Sequence, residues 1–215
     1  MRGDESFEAI GETMKRAAAA MRDAEIDFVL AGSLATWARG GPATSHDLDF
    51  VIRERDAERA VAVLEAIGMR REDPPEDWLL KAWDDNGVLV DLIFGPAGVD
   101  ADGAIQRGEV LTVVSMDVPV MSIEDVFVTK VLALTEHSLD YGKLLEMARA
   151  LREQVDWSAV RDRTADSPFA DAYFVLLDKL GIISAADAAG AGTEPRVRVE
   201  VEGKESTHGT LRNAR

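Results

Sequence analysis

Asp47 and Asp49 stand two residues apart in the stretch HDLDFVI (46–52), and Asp91 stands inside VLVDLIFG (88–95). On an extended strand, residues two apart point to the same face, so Asp47 and Asp49 share a side. Carboxylate oxygens are the ligands that hard cations such as Mg2+ prefer. A lone acid inside an apolar strand is costly to bury, so Asp91 needs a partner. If its strand lies beside that of Asp47 and Asp49, three carboxylates converge. Two Mg2+ ions need such a set for nucleotide phosphoryl chemistry. Plainer readings stay open. Asp47 and Asp49 could be solvated acids on an exposed face, and Asp91 could pair with Lys81 or Arg53 across a sheet.

Gly32 and Ser33 supply a second component. They lie where the apolar run IDFVLAG (26–32) meets a helical stretch. Exposed backbone N–H groups at such a junction favour an anion. Glycine lets the backbone approach a phosphate closely. Ser33 adds a hydroxyl, or it only caps the helix from Leu34 to Arg39. His46 could orient Asp47 or simply hydrogen-bond at the surface. His137 reads as a helix C-terminal cap. Trp37, Trp78 and Trp83 could stack a base, but packing is the default for tryptophan.

The elements that must position these residues follow from periodicity. Residues 6–24 carry Phe7, Ile10, Met14, Ala17, Ala18 and Met21 at helical spacing. Strands are expected at 26–32 and 46–52, with GGPATS (40–45) a loop between them. Asp56 is placed to cap a helix that runs to Ile67 and stops at Gly68. DWLLKAW (77–83) and VLVDLIFG (88–95) flank Asp85-Asn86-Gly87, a strong hairpin signal. A small helix near 101–106 and strands near 110–114 and 117–120 follow. Ser122 then caps a helix, SIEDVFVTKVLALTEH, with acids in its first turn. Three more helical stretches are expected near 140–153, 157–164 and 169–180, the last closed by Gly181. The composition thus divides the chain into an α/β part (1–121), a helical part (122–186) and a tail (187–215) expected to be disordered. VRVEV (196–200) is the one edge-strand candidate in that tail.

Composition excludes several classes. The 215 residues contain no cysteine, hence no disulfide, thiolate zinc site or cysteine nucleophile. A reducing cytoplasm is the simplest expected setting. With 24 Lys and Arg against 40 Asp and Glu, the net charge is −16. That balance repels a nucleic-acid backbone over most of the surface and suits a site that collects divalent cations. The first residues lack the apolar core of a signal peptide, and no apolar run reaches the length of a membrane span.

GSLATWARGGPATSHDLDF (32–50) resembles the first motif of the nucleotidyltransferase (polymerase-beta-like) superfamily. That motif is a Gly-Gly or Gly-Ser turn, a helix, and then Asp-x-Asp or Asp-x-Glu. Asp91 in VDLIFG matches the third motif. The long spacing between Ser33 and Asp47 is similar to AbiEii/AbiGii-type toxins and related stand-alone bacterial nucleotidyltransferases. MSIEDVFVTKVLAL is similar to the helix after the core, where those families carry a phosphate-binding Lys, here Lys130. The resemblance covers roughly 8–183. Two departures stand out. Those families usually place an Arg or Lys soon after the helix Lys as the lead of a basic-Asp pair, whereas in TEHSLDYGK Asp140 is preceded by Ser138 and Leu139. Thr44, Ser45 and His46 occupy a loop where many relatives carry an Arg.

The resemblance implies an α+β fold: a mixed-sheet nucleotidyltransferase core, flanking helices and a C-terminal helical bundle. It implies a nucleoside triphosphate seated on Gly32, Ser33 and Lys130. Two Mg2+ ions would lie on Asp47, Asp49 and Asp91, with Asp91 holding the second ion or deprotonating the acceptor. The acceptor expected first is a small-molecule hydroxyl or an unidentified one, and tRNA second. A catalytically weak nucleotide-binding regulator, or a toxin–antitoxin partner that docks a basic protein or a second copy, is the alternative.

Overall fold

The computed structural model describes residues 2–42 and 47–184, with side chains from Phe7 onward. His46, residues 43–45 of the expected loop and the tail from 187, including VRVEV, lie outside the described residues.

The first helix, α1, is Arg2–Asp23. Its apolar stripe is fully buried at Met14, Ala17, Ala18 and Met21. Strand β1 (Phe28–Leu30) leads directly into α2 (Gly32–Ala38). Strand β2 is Asp47–Ile52, and α3 is Ala57–Ala66 after a short 3-10 turn. Three strands follow: β3 (Arg70–Glu72), β4 (Leu79–Trp83) and β5 (Leu89–Ile93). Then come α4 (Ala101–Arg107), β6 (Glu109–Val113) and β7 (Met116–Val120). The chain closes with α5 (Ile123–Leu132), α6 (Tyr141–Leu151), α7 (Trp157–Arg163) and α8 (Pro168–Lys179).

The seven strands form one mixed sheet in the order β3-β4-β5-β2-β1-β7-β6. The β2–β5 and β1–β7 pairs are parallel and the other neighbours antiparallel. On β2, Leu48, Phe50 and Ile52 share one face and are fully buried, while Asp47 and Asp49 share the other. The β4–β5 hairpin is organised by Asp84, whose carboxylate accepts the Asn86 and Val88 N–H groups at 2.8 Å each. Gly87 adopts φ 77°, a conformation that side chains disfavour. The buried Thr13 hydroxyl donates to the same Asp84 carboxylate and ties α1 to the hairpin.

The helices after β7 pack through aromatic rings. Phe127 and Trp157 have centroids 4.9 Å apart, and Trp157 meets Phe174 edge-on. Ser122 caps α5 by accepting the Asp125 N–H, as its sequence signal implies. Asp125 itself is fully buried and paired twice: with Arg107 of α4 at 3.0 Å and with Arg163 of α7 at 2.6 Å. That clamp joins the sheet side of the molecule to the helical side through α5.

Three local expectations are corrected. Helix α2 starts at Gly32, so Ala31 is its cap and Ser33 lies in the first turn. Asp56 makes no cap hydrogen bond and instead pairs with Arg59 at 3.2 Å. Helix α5 ends at Leu132, so His137 lies in the following turn and faces Glu136, not a helix end. Among the described residues, no helix is long and apolar enough to cross a membrane.

Candidate active site

Sheet register brings the acids together. Asp49 on β2 is the direct partner of Asp91 on β5, and Asp91 is the direct partner of Lys81 on β4. Opposite residues in a sheet share a face, so Lys81, Asp91 and Asp49 run in one row. Asp47 stands two residues along β2 on that face and is exposed. Of the two partners open to Asp91, the structure selects Lys81. Its ammonium donates to both Asp91 oxygens, at 3.0 and 3.2 Å. Arg53 pairs instead with Asp27 and Asp102.

Gly32 abuts Asp49. Its φ is +59°, and a Cβ built there would stand 1.8 Å from Asp49 Oδ2. Glycine is thus required twice, by backbone conformation and by the carboxylate that fills the space of a side chain. Burial pushes the Asp49 carboxyl up to about 6, with the nearby Asp91 charge adding to it and Lys130 opposing. Burial also raises Asp91, and the Lys81 hydrogen bond offsets only part of that rise.

Lys130 lies on the last turn of α5, near enough to Asp49 to act on its charge. Together with Ser33 it lines a cavity of about 320 Å3 between α2, α5 and α6. Thr36, Ser138, Asp140, Lys143, Leu144 and Met147 complete most of its wall. The acids themselves lie beside this cavity and not in its wall. A cavity of this size is within the range of small-molecule sites, about 300–1,000 Å3. Lys143 was not singled out by sequence. It brings a basic group to the wall where the motif after Lys130 lacks one, and it stands 3.4 Å from Asp140.

The tryptophans divide as packing predicts. Trp37 packs on Phe7 at 4.7 Å between centroids, and Trp83 donates its indole N–H to Glu72. Trp78 is 42% exposed and lines neither the cavity nor the row of acids.

As they stand, no three His, Cys, Asp or Glu side chains surround one point among the described residues. The row still fits a divalent cation by its chemistry. All donors are carboxylate oxygens, and a cation on Asp47 and Asp49 would offset the burial and the neighbouring acid charges that raise Asp49.

No family model and no curated protein sequence matches the chain. Solved structures do match its backbone. The crystal structure of ANT(2")-Ia with adenylyl-2"-tobramycin superposes with a TM-score of 0.57 at 16% identity, covering 76% of this chain and 98% of that one. The solution structure of the antibiotic-resistance factor ANT(2")-Ia gives 0.56 at 15% identity, covering 82% and 98%. The lincomycin-bound lincosamide antibiotic adenylyltransferase LnuA gives 0.47 at 14% identity, covering 67% and 97%. With the mixed sheet and flanking helices already described, the two ANT(2")-Ia likenesses place the chain in the α+β nucleotidyltransferase fold.

Proposed function

We propose that this chain transfers a nucleoside monophosphate from a nucleoside triphosphate to a hydroxyl acceptor. The observation that carries the reading is the row Asp47, Asp49 and Asp91 on one sheet face, beside a cavity walled by Ser33 and Lys130. The likeness of backbone to ANT(2")-Ia supports it.

In this reading Lys130 and the Gly32–Ser33 turn hold the phosphates of the nucleotide. The nucleoside lies in the cavity against Thr36, Leu144 and Met147, with Lys143 and Asp140 at its polar rim. Asp47 and Asp49 hold Mg2+, which when bound neutralises charge developing on the phosphates. Asp91 faces the acceptor. The acceptor oxygen bonds to the α-phosphorus, the bond to the bridging oxygen breaks, and pyrophosphate leaves with that electron pair. The hydroxyl proton passes to the Asp91 carboxylate, whose raised affinity for protons suits it to receive one. Most of the rate then comes from positioning and fixed charge.

The acceptor is a small molecule. ANT(2")-Ia is seen with an adenylylated antibiotic, and the net charge of −16 opposes a polyanion such as tRNA. A binding-only reading would rest on the absence of a basic residue just before Asp140, and Lys143 brings a basic group to the cavity wall nearby.

The test is labelled transfer with Mg2+, each of the four nucleoside triphosphates, and a panel of amino-sugar, lincosamide and tRNA acceptors. Transfer to a small molecule that disappears in Asp47→Ala/Asp49→Ala is expected. Equal signals from wild type and the double variant across the panel reject the enzymatic reading.

A further inference from the structure

Lys81 is the residue of the site that no motif predicts a role for. Its ammonium is bound to both oxygens of Asp91, and the two side chains are only 19% and 15% exposed. An exposed Lys–Asp pair exchanges readily with water and contributes little. A largely desolvated pair is different, because removing one partner strands the other's charge.

The position of the pair matters as much as its burial. Asp91 has Asp49 on one flank and Lys81 on the other, each by direct register. A third carboxylate that shared two ions with Asp47 and Asp49 would have its oxygens free for metal. Here both accept from one ammonium, and no three acids among the described residues enclose a point. Asp47 and Asp49 have no such partner: no ion pair joins either of them to a lysine or arginine among the described residues. The row therefore divides into an acid pair open to a cation and an acid that already has one.

Resting on the nucleotidyl-transfer reading, we propose that Lys81 takes the place of a second metal ion on Asp91, so that the site holds a single divalent cation on Asp47 and Asp49. Lys81 is then a positioning residue. It holds Asp91 charged and aimed while leaving lone pairs for the acceptor proton, since a carboxylate offers about four acceptor sites.

The experiment is a titration of the full chain with Mn2+ alone, read by loss of the free-ion paramagnetic resonance signal. The wild type is expected to bind one ion per chain. Lys81→Met, which keeps length and removes charge, is expected to bind two, and adding Asp91→Asn to it returns the count to one. Asp91→Asn in the wild-type background keeps the hydrogen bond to Lys81, so it reads out even if Lys81→Met fails to fold. It is expected to keep one ion with a Kd within about threefold of wild type. Two ions on the wild type, one on Lys81→Met, or a tenfold weaker ion on Asp91→Asn overturns the proposal. Binding of no ion by the wild type and by Lys81→Met alike overturns the metal-dependent reading beneath it, a separate outcome.

Discussion

Asp49 is held at an electrostatic cost. Burial and the neighbouring acids raise its carboxyl from 3.8 to about 6. The sign follows from linkage. Between about pH 4 and 6 the unfolded chain has released this proton while the folded chain keeps it, so stability falls as pH rises through that window. The raised Asp91 acts in the same direction. Asp49→Asn is therefore expected to be more stable than wild type at pH 8 without divalent cation, by up to about 3 kcal/mol in urea unfolding. It should also show a shallower fall between pH 4 and 6, and no transfer. An Asn variant less stable than wild type at pH 8 contradicts this electrostatic account. Gly32→Ala has a different signature. The left-handed backbone alone costs an alanine roughly 1–2 kcal/mol, and the new Cβ needs the space of the Asp49 carboxylate. A folded chain with divalent-cation affinity down at least tenfold is expected by calorimetry. Affinity equal to wild type would show that Gly32 does not set the position of Asp49.

Elements carry these residues to one place, and they do so unequally legibly. The Asp-x-Asp strand, the Asn-Gly hairpin and the Ser122 cap each have a local cause, so they can be read along the chain. The pairing of Lys81 with Asp91 was readable as one of two options, because period-two alternation puts both on one face of a hairpin. Register alone chose between Lys81 and Arg53. Strand β3 escaped, being three polar residues, Arg70 to Glu72, at a sheet edge where no alternation develops. Helix α2 starts two residues earlier than a Ser33 cap would set it, at Gly32, whose positive φ turns the chain there. Lys143 was invisible for another reason: it reaches the wall of the cavity from α6, and the packing of α5 near α6 leaves no periodic trace in sequence. The Arg107–Asp125–Arg163 clamp is likewise a meeting of three helices. With both arginines removed, Asp125 is a buried charge with no counter-charge. Arg107→Ala/Arg163→Ala is expected to lose about 3–5 kcal/mol in chemical denaturation, and each single variant much less because the other arginine remains. A double variant no worse than the singles would mean that the clamp is not what joins α4, α5 and α7.

At the scale of the whole molecule the net charge is −16, so a polyanionic nucleotide at the proposed site needs a cation to offset repulsion. Divalent cation and nucleotide should therefore stabilise the fold together. At a ligand concentration one hundred times Kd the gain is about 2.7 kcal/mol, or roughly 5–10 °C in Tm for a chain of this size. Thermal unfolding with a non-hydrolysable nucleotide is expected to show that shift with Mg2+ and to lose it with chelator. A shift indifferent to chelator contradicts a carboxylate-held cation. The most direct measurement is a crystal structure of the full chain with Mn2+ and a non-hydrolysable nucleoside triphosphate, its ions located by anomalous scattering. Mn2+ is expected on Asp47 and Asp49, phosphates on Ser33 and Lys130, and the nucleoside in the cavity beside Leu144 and Met147. Nucleotide ordered away from that cavity, or Asp47 and Asp49 bare of metal with nucleotide in place, contradicts this expectation.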